Sequence, residues 1–166
     1  MGGLVRRLRA LGLDVLHTCG KDLALLFELV WTREEDVRSP SASKPRVILT
    51  RDADVLARAT RYGVPCYYVS STKTESQARE VLGKFRLSPA PENFLARCIQ
   101  CNCARFEQRS REEVQTLLPQ RTVNSFHIFY ECARCHQLYW KGAHFTRATR
   151  QLEELVRQLR CDAQQT

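Results

Sequence analysis

Four cysteines in two pairs constrain this chain more than any other feature. Cys98-Ile99-Gln100-Cys101 and Cys132-Ala133-Arg134-Cys135 are both C-x-x-C, and thirty residues separate Cys101 from Cys132. One such turn aims two thiolates at a single point, and two turns complete a tetrahedral shell around Zn²⁺. The spacing therefore predicts one structural zinc held by Cys98, Cys101, Cys132 and Cys135. The other reading is two unrelated pairs, buried or redox-active. No secretory feature accompanies the pairs, and intracellular thiols are normally reduced. Cys19, Cys66 and Cys161 have no partner by spacing. Cys103 reads as a bystander, because Cys101 makes the better knuckle with Cys98. His127, His136 and His144 compete for the same metal, but four sulfurs already close the shell.

A chain of 166 residues holds one ordinary domain, or a small domain plus a metal-stapled module. Lys and Arg total 26 against 18 Asp and Glu, a net charge of +8. That surplus favours an anionic partner, nucleic acid first; a merely soluble basic surface is the plain alternative. No run approaches the ~18 apolar residues of a membrane span. The N-terminal arginines are not followed by the apolar core of a signal peptide. The expectation is a cytoplasmic or nuclear protein with no membrane partner.

Read in order, the chain alternates helix and strand. Leu4, Val5, Leu8 and Leu11 recur at helical spacing, with Arg6, Arg7 and Arg9 opposite and Gly12 as the stop. Asp14 to His17 reads as a strand. Leu23, Leu26, Phe27 and Val30 mark a helix with Asp22 in its first turn, and Glu34 to Pro45 reads as a long polar loop. Val47 to Leu49 is a buried strand. A helix follows, carrying Val55, Leu56, Ala59 and Tyr62 inward and stopping at Gly63. Val64 to Val69 is the next strand, and Thr74-x-x-Gln77 reads as a capping box opening a helix with Ala78, Val81, Leu82 and Phe85 inward. This alternation predicts an α/β fold, a parallel sheet flanked by helices.

Ser88-Pro89-Ala90-Pro91 breaks the pattern. Beyond it, Ser110-x-x-Glu113 reads as the cap of a short helix containing Val114, Leu117 and Leu118. Phe126 to Glu131 and Gln137 to Lys141 read as strands flanking the second knuckle, which is a zinc-ribbon arrangement. Leu152, Leu155, Val156 and Leu159 form a last amphipathic helix. The division expected is an α/β body over 1–88, a ribbon over 92–145 and a C-terminal helix over 146–166.

Open parallel sheets collect ligands outside the carboxyl ends of their strands. Asp52 and Asp54 stand just past such an end, and the helix carrying Asp22 begins at the same edge if the order is strand, helix, strand. Carboxylates gathered there would bind Mg²⁺ or Mn²⁺, hard ions that prefer oxygen. Each has a plainer explanation: Asp52 as a helix cap, Asp54 and Asp22 as first-turn acids. Glu28 is a weaker candidate. Thr50 can orient Asp52, and Arg51 can meet phosphate or remain a solvated charge. Arg97, Arg105, Arg109, Arg111 and Arg134 surround the ribbon, a distribution that serves phosphate binding only if the charges share one side. Phe126, Phe129, Tyr130, Tyr139 and Trp140 can stack on unpaired bases or form the ribbon's small core.

The order of these motifs resembles one family, the RNase-like domain at the C-terminus of mutator-seven-type 3′–5′ exonucleases. The matching residues are Gly3 to Gly12, then Ile48-Leu49-Thr50-Arg51-Asp52, Arg97 to Asn102 and Cys132 to Gly142. The chain resembles the animal exonuclease homologues of that family most. The resemblance implies a PIN-like nuclease sheet followed by a zinc ribbon. It also implies that a strand bearing an aspartate of the acidic site precedes the helix matching Leu4 to Leu11. That strand is expected to be missing here, and the polar stretch from Glu34 to Lys44 is expected to be an insertion. Asp52 carries over directly, Asp22 by approximate position, and Asp54 has no firm counterpart.

Two functions follow as expectations, beside the blander one of a protein-interaction module within a larger exonuclease. One is a metal-dependent ribonuclease in which Asp52, with Asp22 and Asp54, holds Mg²⁺ or Mn²⁺ against an RNA phosphodiester. The other is a non-catalytic nucleic-acid-binding module with an inactive acidic site. Implied partners are nucleic acid, RNA in particular, and other domains of a longer exonuclease.

Overall fold

Three helices of the N-terminal half stop in the same way. Helix α1 (Gly2–Ala10) ends with Leu13 N–H donating to Leu8 O and Gly12 N–H to Arg9 O. Helix α3 (Ala53–Arg61) ends with Val64 N–H to Ala59 O and Gly63 N–H to Thr60 O. Helix α4 (Thr74–Lys84) ends with Leu87 N–H to Leu82 O and Arg86 N–H to Gly83 O. Each pair is a Schellman closure, which needs a left-handed residue just past the helix. Gly12 (φ 83°) and Gly63 (φ 66°) supply it, and Arg86 (φ 50°) supplies it without glycine's freedom. A Cβ on Gly12 would stand 2.4 Å from the backbone oxygen of Asn93, so that turn is closed to any side chain. The computed structural model describes residues 2–18, 22–31 and 45–164. Cys19 and the polar stretch from Glu34 to Lys44 lie outside them.

Strands β1 (Ile48–Thr50) and β2 (Cys66–Tyr68) pair in parallel, Ile48 opposite Cys66 and Leu49 opposite Tyr67. The alternation of side chains along a strand sends these two pairs to opposite faces. Ile48 and Cys66 pack with Ala59 and Val64 and with Leu26, Phe27 and Val30 of α2 (Leu23–Trp31). Leu49 and Tyr67 pack with Leu4, Leu8 and Leu11 of α1 and Ala78, Val81 and Leu82 of α4. The sheet is thus covered by helices on both faces, as its continuous apolar runs require.

The second half carries a three-stranded antiparallel sheet, β3 (Phe106–Arg109), β4 (Phe129–Cys132) and β5 (Leu138–Tyr139), with β4 central. Between β3 and β4 lie two short helices, α5 (Arg111–Val114) and α6 (Gln120–Ser125). The Ser110 capping box forms as expected: Ser110 Oγ accepts from Glu113 N, and Glu113 Oε2 accepts from Ser110 N. Helix α7 (Ala143–Gln164) then returns to the first half. Its Leu152, Leu155 and Val156 are buried in the same core as Leu4, Leu8 and Leu11. No helix among the described residues is long and apolar enough to cross a membrane.

Five local expectations are corrected. Tyr62, just past α3, does not face inward: it is exposed, and its ring meets Phe27 edge to face. Asp14 to His17 is not a strand. The backbone of Val15 is spent on side chains, its N–H on Asn102 Oδ1 and its carbonyl on Arg9 Nε, so no ladder can use it. Thr74 does not cap α4; Lys73 holds the cap position without a side-chain bond. Gln77 is buried and donates to Ser71 O instead. Thr74 lies against Gly3 of α1, where a Cβ would come within 2.6 Å of Thr74 Oγ1. The helix after Ser110 stops at Val114, short of Leu117 and Leu118, because Pro119 restarts the chain as α6. Strand β3 was not expected at all: Phe106-Glu107-Gln108-Arg109 shows no apolar alternation, and its pairing with β4 is what makes it a strand.

Candidate metal centre and acidic rim

The sulfurs of Cys98, Cys101, Cys132 and Cys135 all lie within 4.8 Å of one another. Cys98 Sγ is 3.5 Å from Cys135 Sγ, and Cys101 Sγ is 3.4 Å from Cys132 Sγ. These contacts are far longer than the ~2.05 Å of a disulfide. They approach the roughly 3.8 Å edge of a tetrahedron whose corners stand about 2.3 Å from a zinc ion. Among the described His, Cys, Asp and Glu side chains only these four sulfurs converge there, which suits Zn²⁺ and not a hard cation. Among the described residues this is the only convergence of three or more His, Cys, Asp or Glu ligand atoms.

Local backbone builds the centre. Gln100 N–H and Cys101 N–H donate to Cys98 Sγ, and Arg134 N–H and Cys135 N–H donate to Cys132 Sγ. Asn102, at φ 73°, turns the chain after the first knuckle, a conformation that asparagine tolerates. Cys98 N–H then donates to Cys103 O. Burial pushes the Cys98 thiol up, but the Tyr139 hydroxyl at 3.1 Å and the two N–H groups bring it down to about 7. Burial pushes the thiols of Cys101, Cys132 and Cys135 up. Phe106 and Tyr139 meet edge to face beside the sulfurs. Cys103 is buried but stays outside the cluster, its sulfur engaged with the backbone of Arg105. His136 pairs with Glu131 and His127 lies against Arg111, so neither joins the sulfurs.

Sequence reasoning missed what joins the knuckle to the body. Arg9 is 5% exposed and donates to Val15 O (2.8 Å), Ile99 O (3.2 Å) and Gln100 O (2.5 Å). It stands four residues after Val5, at the edge of the apolar arc of α1, which was the available signal. Asn102 Nδ2 donates to Asp14 Oδ1 (2.6 Å), and Arg46 donates to Asp14 Oδ2 (2.7 Å). Burial raises the Asp14 carboxyl, but these hydrogen bonds outweigh it and leave it below the ordinary aspartate value.

At the carboxyl end of β1, Asp52 is the N-cap of α3. Its Oδ1 accepts from Asp54 N (2.9 Å) and Val55 N (3.4 Å), and Thr50 Oγ1 accepts from Asp52 N (3.0 Å). Asp22 caps α2 in the same manner, its Oδ1 accepting from Ala24 N and Leu25 N at 3.0 and 3.2 Å. In both, Oδ2 has no hydrogen-bond partner among the described residues. Asp54 is exposed in the first turn of α3. The ligand atoms of Asp22, Asp52 and Asp54 do not converge as a set of three.

Arg51 donates to the carbonyls of Ser70 and Ser71 and so clasps the loop after β2. Glu80 holds the same loop from α4, accepting from Ser70 N, Ser70 Oγ, Ser71 N and Tyr67 OH. The expected arginine face on α1 is divided. Arg7 pairs with Glu75 at 2.5 Å, Arg9 is internal, and Arg6 remains exposed. Around the antiparallel sheet, Arg109 is bonded to Glu107 and Glu131, and Arg111 to the 124–127 turn. The aromatics of this sheet are mainly core: Phe129 is fully buried and, with Phe126, packs against Trp140.

The family model described as the Mut7-C RNAse domain matches residues 1–160. No curated protein and no solved structure matches the chain.

Proposed function

Because the chain belongs to the Mut7-C RNase domain family, we propose that it is a metal-dependent ribonuclease-type domain of the 3′–5′ exonuclease-related kind, hydrolysing RNA phosphodiesters. Its body is read as PIN-like and its cysteine module as a zinc ribbon. The observation that carries the nuclease reading is Asp52: it sits outside the carboxyl end of a parallel strand, caps α3 with Oδ1 alone and keeps Oδ2 free. Capping and metal binding therefore do not compete for the same oxygen. Asp22 has the same division of labour on α2. Helix α2 ends beside the start of β1, where Arg46 N–H donates to Val30 O, so Asp22 lies at the end of its helix away from that junction. Asp54 is the exposed third acid.

Asp52, with Asp22 and Asp54, would hold Mg²⁺ or Mn²⁺, which would supply an activated water and charge to steady the leaving oxygen. The chain's own residues prepare its place. Thr50 fixes the Asp52 backbone, and Arg51 and Glu80 hold the neighbouring Ser70–Ser71 loop. The four cysteines would hold Zn²⁺ as a structural ion.

A second reading has its own support. The three aspartates do not converge, and a ligand set that must move to close binds metal weakly. On that ground the alternative is a non-catalytic nucleic-acid-binding module with the +8 surplus as its attraction. Labelled single-stranded RNA with Mn²⁺ separates the two. The nuclease reading expects cleavage that Asp52→Asn reduces at least ~100-fold, with zinc content and circular dichroism unchanged. Cleavage by Asp52→Asn at the parent rate removes Asp52 from the site. Binding without cleavage by the parent chain establishes the second reading.

A further inference from the structure

Arg9 touches two carbonyls of the first knuckle, Ile99 O and Gln100 O. Those carbonyls belong to the peptide units whose N–H groups, on Gln100 and Cys101, donate to Cys98 Sγ. Each peptide therefore links a buried guanidinium on one side to a sulfur on the other. A cation at the oxygen end polarises an amide and strengthens its N–H as a donor, and chains of such bonds reinforce one another. We propose that Arg9, ninety residues from the knuckle, is a positioning residue for the metal centre: it tightens the N–H···S bonds to Cys98 and couples metal retention to the seating of α1.

This inference rests on the reading of the four cysteines as a zinc site. The coupling runs both ways. With the knuckle closed, the guanidinium has three carbonyl acceptors in a buried setting. With the knuckle opened by loss of metal, two of the three are lost, and a buried cation short of acceptors is costly. Helix α1 should then loosen. Outer partners of this kind commonly change metal affinity by roughly tenfold to a hundredfold.

The test compares zinc-loaded parent, Arg9→Met, Arg9→Lys and Arg6→Met, the last altering an exposed arginine of the same helix. Zinc transfer to a coloured chelator should accelerate roughly tenfold or more in Arg9→Met and stay at the parent rate in Arg6→Met. With Co²⁺ in place of zinc, the sulfur-to-cobalt charge-transfer band should move to lower energy in Arg9→Met, because weaker N–H···S bonds leave the thiolates better electron donors. Arg9→Lys, which keeps the charge but not the fork, should restore part of both effects. Equal release and an unmoved band in Arg9→Met overturn the role of Arg9 while leaving the zinc site standing. Parent protein that folds without binding metal overturns the zinc reading itself. If Arg9→Met does not fold, the parent chain decides: chelation should lower amide protection in α1 but not in α3, and unchanged protection in α1 overturns the coupling.

Discussion

Glu80 shows how one carboxylate can fix a loop. Burial alone would raise its pKa, but Ser71, Ser70 and their N–H groups lower it to about 2. A group whose pKa falls on folding stabilises the protein at pH values above its unfolded pKa, near 4.5, and loses that contribution as pH drops toward 2. Glu80→Gln is expected to cost about 1–3 kcal/mol at pH 7. It should also flatten the fall in stability between pH 4.5 and 2, read from urea unfolding at a series of pH values. The parent's slope persisting in the variant would show that other carboxylates control that window. Asp14 works in the same direction through Asn102 and Arg46. At this scale Asp52 differs from both, since it spends one oxygen on the helix and keeps the other.

Elements in this chain are terminated more carefully than they are begun. Helices α1, α3 and α4 share the Schellman closure, yet α4 completes it with Arg86 at φ 50°. A non-glycine residue there pays a steric cost that glycine avoids. Arg86 is exposed and its side chain makes no hydrogen bond or ion pair among the described residues, so Arg86→Gly is expected to raise stability by about 0.5–1 kcal/mol. A lower denaturation midpoint in that variant would show that the arginine side chain matters more than its backbone. Helix starts are uneven: Asp22, Asp52 and Ser110 cap α2, α3 and α5 with side chains, whereas α4 and α6 begin without one. The strands of the antiparallel sheet depend on each other, since β5 spans only Leu138–Tyr139 and is held by Tyr130 and Glu131 of β4.

Across the molecule, the two ends of the chain share one core. Leu152, Leu155 and Val156 of α7 lie with Leu4, Leu8 and Leu11 of α1, so the helix after the antiparallel sheet seals the core formed by the first half. Leu155 is 1% exposed, and Leu155→Ala should cost about 2–5 kcal/mol, the range for emptying a buried leucine site. The loss should appear in the unfolding of the whole chain by both near- and far-ultraviolet circular dichroism. A transition limited to α7 would mean that the helix is only appended. Together with the Arg9 and Asp14–Asn102 contacts, this packing ties the second half of the chain to the first.

What the sequence determined by itself was local and periodic. Two C-x-x-C turns defined the sulfur cluster, because two cysteines at that spacing share a turn. Leu4, Leu8 and Leu11, or Ser110 and Glu113, marked their elements because period and cap chemistry act within a few residues. Gly12 and Gly63 announced helix ends because few other residues enter that conformation. What only tertiary structure decided was the use of groups whose partners lie far along the chain. Arg9 looked like a surface charge until Ile99 and Gln100 came to it, Asp14 to His17 gave up its strand to Asn102 and Arg9, and β3 became a strand by lying beside β4. The physical reason is the same in each case: a polar group inside a protein takes whichever partner the fold delivers, and spacing along the chain does not record that choice.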